Sequence, residues 1–141
     1  MTTADVPNPL ELTRALVAFN TINPPGNERS CAEHLGHLLE AGGFSISYHE
    51  FADTRTSLVA RIGGSSDTKP LCFTGHLDVV PLGGAPWSVD PFAGEIDDGK
   101  LYGRGTSDMK SGVAAFVVAA IRLARELETG SDQRRVACGH A

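Results

Sequence analysis

Apolar residues first fall into a helical repeat at Leu12, Ala15, Leu16 and Phe19, spaced i, i+3, i+4 and i+7. Pro24-Pro25-Gly26 must end any helix built on them. The same period returns in Cys31, Leu35, Leu38 and Leu39, with Asn27 as a candidate N-cap and Gly42-Gly43 suited to the helix C-terminus. From Phe44 the pattern changes to alternation. Phe44-Ser-Ile-Ser-Tyr predicts a half-buried strand, and Ser57-Leu-Val-Ala-Arg-Ile a second strand before Gly63-Gly64. Leu71-Cys-Phe-Thr, between Pro70 and Gly75, is a short apolar run suited to a buried strand. Asp98-Gly99 between Glu95-Ile96 and Leu101-Tyr102 signals a two-residue hairpin inside a connection rich in Pro, Gly and Asp. Val113 to Ile121 is apolar on nearly every side, and charge returns only at Arg122, Arg125 and Glu126, which predicts a largely buried helix. Gly130-Ser-Asp-Gln-Arg-Arg reads as a surface loop. Two helices, several strands and a buried helix make an α/β layer structure the expected fold class.

Composition narrows this picture without changing it. A chain of 141 residues, 41% hydrophobic and 21% charged, supports one globular domain. Its net charge is -5 and its basic residues are scattered, so neither nucleic acid nor an anionic membrane is an expected partner. Cys31, Cys72 and Cys138 form no C-x-x-C pair, which points to reduced thiols in a cytoplasmic protein, with Cys72 packed in the core. The N-terminus lacks a basic region followed by an apolar one, and no stretch reaches the roughly 18 apolar residues of a membrane span. Export and membrane insertion are not expected.

Candidate chemistry gathers in two places. In Leu71-Cys-Phe-Thr-Gly-His-Leu-Asp-Val-Val-Pro a strand runs into a glycine and then presents His76 and Asp78, which share one face of an extended chain. A histidine binds a metal through one neutral ring nitrogen, and a carboxylate accepting from the other nitrogen fixes the ring, so the pair suits a ligand and its orienting partner. In Gly103-Arg-Gly-Thr-Ser-Asp-Met-Lys-Ser-Gly, Asp108 stands just before the buried helix, where a carboxylate is also favoured as a simple cap. Neither nucleotide motif fits this segment. A phosphate-binding loop needs glycine where Met109 precedes Lys110-Ser111, and a dinucleotide fingerprint from Gly103 needs its third glycine at Asp108.

Three segments resemble, in order and spacing, the M20 peptidase family, the group of acetylornithine deacetylase and succinyl-diaminopimelate desuccinylase. They are Gly75-His-Leu-Asp-Val-Val-Pro, then Trp87 with Asp90-Pro-Phe, then Asp98-Gly-Lys-Leu-Tyr-Gly-Arg-Gly-Thr-Ser-Asp-Met-Lys. Asn23-Pro-Pro-Gly-Asn-Glu extends the likeness, which runs from about Leu10 to Leu127. The resemblance implies the N-terminal part of a zinc-exopeptidase-like α/β domain with a mixed, mainly parallel sheet flanked by helices. It implies two zinc ions, with cobalt or manganese as alternatives, and hydrolysis of amide bonds in N-acyl amino acids or short peptides. His76 would ligate one metal, Asp108 would bridge both, and Asp78 would act as the catalytic-site residue that orients His76. The Asp108-Met109 peptide would be cis. Homodimers, where they occur, would form through a lid or dimerisation domain not found in these residues. The family's Glu-Glu pair, a further acidic ligand and a final histidine are also not found, so the 141 residues read as an incomplete catalytic domain with negligible amidase activity alone. An apolar strand should precede the Glu-Glu pair, and Arg134-Arg-Val-Ala-Cys-Gly-His-Ala is only weakly apolar. The alternative is a non-catalytic metal-binding or protein-interaction module on the same fold.

Other histidines receive no role. His34 and His37 share a helix face with no acidic or cysteine partner, and His49 and His140 have no identifiable partner. Trp87 and Phe92 read as packing residues. Arg104 and Lys110 either balance the acidic site or touch substrate, and substrate identity stays open.

Overall fold

The computed structural model describes residues 6–63, 69–129 and 136–140. Helix α1 (Pro9–Val17) starts at Asn8, whose side-chain oxygen accepts from the backbone N–H of Leu10 at 2.8 Å and of Glu11 at 3.4 Å. It buries Leu12, Thr13, Leu16 and Val17, close to the stripe that the spacing predicts. Its end is not set by Pro24. The chain leaves the helix earlier because it is drawn into pairing with a distant segment: Val79 N donates to Thr21 O at 3.0 Å, and Asn23 N donates to Val79 O at 2.8 Å. Phe19 therefore packs on the core from a bend.

Helix α2 (Arg29–Ala41) buries Cys31, Ala32, Leu35, Gly36 and Leu39. Asn27 does not cap it. Glu28 occupies the cap position without a side-chain cap bond, because its carboxylate is turned to Arg55. Gly43, at φ 89°, takes the chain out of the helix.

Strands β1 (Ser45–Ala52), β2 (Arg55–Ile62), β3 (Leu71–Gly75) and β6 (Val136–His140) form one sheet in the order β1-β2-β6-β3. A small ribbon of β4 (Glu95–Asp97) and β5 (Lys100–Tyr102) turns at Asp98-Gly99, both at positive φ, as the hairpin signal predicts. The four-stranded sheet is mixed, as expected, but it is not mainly parallel among the described residues. β1 pairs with β2 and β2 with β6 antiparallel, and only β3 with β6 is parallel. The reason is connection length: the tight Asp53-Thr54 turn permits only an antiparallel pair, whereas helix α3 (Ser111–Thr129) lies in the long connection that returns the chain parallel to β3. The weakly apolar stretch near residue 136 is a strand after all, seated between β2 and β3, so its place comes from its neighbours' pairing rather than from its own composition.

The core lies where α1, α2 and α3 meet the sheet. Leu16, Leu39, Leu77 and Val117 are each 1% exposed or less, and burying a side chain of this size contributes about 1.5–3 kcal/mol. Among the described residues no helix is long and apolar enough to cross a membrane.

Burial expectations hold only in part at the sheet edges. At β1 Phe44 is buried and Ile46 packs on the core, as a half-buried strand requires, but Tyr48 and Phe51 are exposed, and β3 leaves both Leu71 and Cys72 accessible. In β3 only alternate residues face α3, where Phe73 stacks on Phe116 with ring centroids 5.6 Å apart. Cys72 points the other way and is not core. Cys31 is the buried thiol. Burial above all, opposed by the charge of Lys110 and helped by that of Glu28, pushes its pKa up to about 11 from 9.0. A water-soluble thiol reagent at pH 8 is expected to label Cys72 at least about a hundredfold faster than Cys31, read by peptide mass mapping. Equal rates would contradict this packing. Because the folded pKa is raised, the Cys31 contribution to stability is whole below pH 9.0 and is lost as pH rises through about 11. Cys31→Ala should flatten that alkaline loss in denaturation midpoints.

Candidate metal centre

The end of β3 delivers the first two site residues. At Gly75 a side chain would press on Met109, Phe116 and Val113, with added-atom contacts of 3.1–3.2 Å, so the strand runs close against α3. Beyond it Leu77 is fully buried, and Thr21 Oγ1 donates to its carbonyl at 2.6 Å. With Leu77 pinned inward, His76 and Asp78 face the other side together, as the spacing of two predicts.

Asp108 arrives from the turn Thr106–Lys110, which precedes α3. Gly105 opens that turn at φ 82°, and a β-carbon there would lie 2.4 Å from Val79 Cγ1, so the turn and the His76–Val79 segment touch through a glycine. The Asp108-Met109 peptide is cis, as the resemblance implies. The Asp108 carboxylate reaches His76 across this contact and remains largely solvent-exposed.

His76 is held at both ring nitrogens. Nδ1 lies 3.0 Å from the Asp78 carbonyl and 3.1 Å from Asp78 Oδ1, while Nε2 lies 3.0 Å from Asp108 Oδ1. All the groups facing the ring are acceptors; a neutral ring protonated at Nδ1 donates to Asp78 and turns its Nε2 lone pair to the Asp108 side, where a metal would lie. Burial lowers the His76 pKa, but the bonds to Asp78 and Asp108 and their charges outweigh it and raise it overall. For Asp78 burial acts upward and is outweighed by the hydrogen bond from Asn23 and by the charges of His76 and Arg55, so its pKa is lowered and the acceptor stays ionised.

The remaining sequence candidates separate cleanly. Lys110 is fully buried and donates to the Phe19 carbonyl at 2.8 Å, which makes it a structural tie rather than a counter-charge to the site. Burial lowers its pKa, against the opposing influence of Cys31. Arg104 lies over the Trp87 ring at 5.1 Å, and both side chains donate to the Leu82 carbonyl, so Trp87 packs on Arg104 but stays 36% exposed rather than buried. His34 packs beside Phe19 with centroids 5.6 Å apart, and His49 sits 3.3 Å from Ser47 Oγ. His140 falls opposite Gly75 in the sheet register, and its side chain lies outside the described residues. Among the described residues no group of three or more His, Cys, Asp or Glu is placed to hold a metal. His76 and Asp108 therefore form a two-donor constellation.

Three residues near the site carry no expected role: Asn23, Glu28 and Arg55. Asn23 and Glu28 stand in the segment noted for its family likeness, while Arg55 has no local signal because only the hairpin path brings it in.

Residues 72–137 match the family model "Peptidase family M20/M25/M40". Over that segment the chain is similar to M20-type peptidases. It is 44% identical over 124 residues to succinyl-diaminopimelate desuccinylase of Wolbachia sp. subsp. Brugia malayi (strain TRS), covering 84% of this chain and 30% of that protein. The match to the protein of the same name from Granulibacter bethesdensis is 44% over 112 residues, covering 79% of this chain and 28% of the relative. The chain thus spans about 30% of the length of these curated relatives. Solved structures share the fold. Human carnosine dipeptidase 1 has a TM-score of 0.75 at 24% identity, covering 94% of this chain and 31% of that one. An M20 family metallo-carboxypeptidase from Sulfolobus solfataricus has a TM-score of 0.76 at 22% identity, covering 95% and 30%.

Asp78→Asn removes the anion that accepts from Nδ1 while preserving shape. It is expected to weaken zinc affinity by about 10- to 100-fold in competition with a chromophoric chelator. Unchanged affinity in a folded variant would deny Asp78 its orienting role.

Proposed function

We propose that this chain supplies part of the metal site of a hydrolase that cleaves amide bonds in N-acyl amino acids or short peptides, with an N-succinyl diamino acid the favoured substrate. The observation that carries the reading is the meeting of His76 Nε2 with Asp108 Oδ1 at 3.0 Å while Nδ1 is tied back to Asp78. That donor set fits a divalent metal: an imidazole nitrogen, a carboxylate able to bridge, and an orienting anion behind the ring. His76 and Asp108 would hold the metal, zinc by preference and paired in the complete site, with Asp78 behind His76. When bound, the metal supplies the Lewis acidity that amide hydrolysis requires at neutral pH. The chain's own contributions are to fix the imidazole, keep its Nδ1 proton on the Asp78 side, and present an exposed carboxylate toward the solvent side where substrate arrives.

The substrate class follows from the desuccinylase relatives, whose likeness covers most of this chain. A cytoplasmic setting agrees with the free thiols of Cys31 and Cys72.

The reading is tested in a chimera in which residues 10–127 replace the matching segment of a desuccinylase relative. Hydrolysis of N-succinyl-diaminopimelate is expected to persist, and His76→Ala or Asp108→Ala to lower kcat/KM by about a hundredfold or more. A folded, zinc-loaded chimera without hydrolysis, or one indifferent to both substitutions, would overturn it.

A further inference from the structure

Asp78 uses its two carboxylate oxygens for different purposes. Oδ1 faces His76 Nδ1 at 3.1 Å. Oδ2 accepts from Asn23 Nδ2 at 3.0 Å and has Arg55 Nη2 at 4.0 Å. Arg55 is itself anchored: its Nη2 donates to Glu28 Oε1 at 2.8 Å and its Nε lies 3.2 Å from both Glu28 oxygens. Glu28 is only 2% exposed, so its charge must be paired within the fold. A continuous set of polar contacts therefore runs from a buried carboxylate, through a guanidinium, to the carboxylate behind the metal-facing imidazole.

The backbone around this set is fitted to it. Asn23 is held through Val79, its N–H donating to the Val79 carbonyl, one residue beyond Asp78. Gly26 has φ 81°, and a β-carbon there would fall 2.6 Å from Arg55 Nε, so the guanidinium occupies space that only glycine leaves open. Thr54 Oγ1 donates to the Gly26 carbonyl at 3.3 Å and Arg29 N donates to the Thr54 carbonyl at 3.0 Å, which ties the β1-β2 turn to the same segment. Asn23, Gly26 and Glu28 all belong to one stretch, Asn23-Pro-Pro-Gly-Asn-Glu.

We infer that this stretch is the support of the metal site, with Asn23 and Arg55 as positioning residues that lock Asp78 so that His76 presents Nε2 to the metal. Neither touches the metal position; both act through Asp78. The inference rests on the reading of His76 as a metal ligand, but its effect on the ring is measurable without metal.

The test uses the full chain with Asn23→Ala, Arg55→Lys and His76→Ala, with thermal denaturation establishing that each is folded. The first readout is the imidazole nitrogen spectrum of His76 in metal-free protein at a pH where the ring is neutral. With Asp108→Ala in every sample of this readout, which removes the acceptor facing Nε2, the otherwise wild-type chain should show one dominant tautomer protonated at Nδ1, and Asn23→Ala and Arg55→Lys a mixture. The second readout is zinc affinity by chelator competition, expected to fall about tenfold in those two variants and further in His76→Ala. If Arg55→Lys does not fold, Asn23→Ala decides alone. A wild-type tautomer in the folded variants would overturn the inference whatever the zinc result, as would unchanged zinc affinity where His76→Ala lowers it. If His76→Ala leaves zinc affinity untouched, the metal-ligand reading fails, and the tautomer shift still decides whether Asn23 and Arg55 set the ring.

Discussion

The imidazole of His76 is gripped at both nitrogens, by Asp78 on one side and Asp108 on the other, and much of the local chain path follows from bringing these groups together. Asp78 comes from the same strand end, so its placement needs only the alternation of an extended chain. Asp108 comes from a turn more distant in sequence and needs close backbone contact. Two glycines make that contact: Gly75 lets β3 run against α3, and Gly105 lets the turn touch Val79. An imidazole between two carboxylates has its protonated form favoured, as the raised His76 pKa reflects, and the same geometry offers a cation an imidazole nitrogen beside a carboxylate oxygen.

Around this grip the fold places charges where burial makes them costly, and each has a specific partner. Glu28 meets Arg55, and Lys110 meets the Phe19 carbonyl. Such contacts are weak support for overall stability, because the desolvation of Glu28 and Lys110 offsets the attraction, but removing a partner leaves a buried charge unpaired. What such pairs specify is geometry. Glu28 fixes Arg55 beside Asp78, and Lys110 fixes the start of α3 against the bend at Phe19, so both constrain the elements that deliver the site.

Sequence pattern reached the helices and the site but not the sheet edges. The 3.6-residue repeat located α1 and α2, the apolar run Val113–Ile121 located α3 although Ala115 and Ala119 on one side of it are exposed, and the spacing of His76 and Asp78 gave their shared face. The Asp98-Gly99 turn was legible because its conformation is local. Three matters were not legible, each because it is decided by tertiary contact. The end of α1 is set by pairing with Val79 rather than by proline. Cys72 looked buried because apolar strands usually are, yet it lies on the outward face of an edge strand. Val136–His140, unremarkable in composition, takes a central place because strands on both sides supply its partners. Within the site, His76, Asp78 and Asp108 could be named from motif and spacing, whereas Arg55 could not, since nothing near it in sequence announces a contact with Glu28 and Asp78.

In the proposed site His76 and Asp108 share one cation, with Asp78 behind the ring. Anomalous diffraction at the zinc absorption edge, from crystals grown with zinc, tests it most directly. A peak is expected about 2.0–2.2 Å from both His76 Nε2 and an Asp108 carboxylate oxygen, with Nδ1 still on Asp78. A peak on Nδ1, or zinc held by His34 and His37 with the His76–Asp108 contact undisturbed, would contradict it.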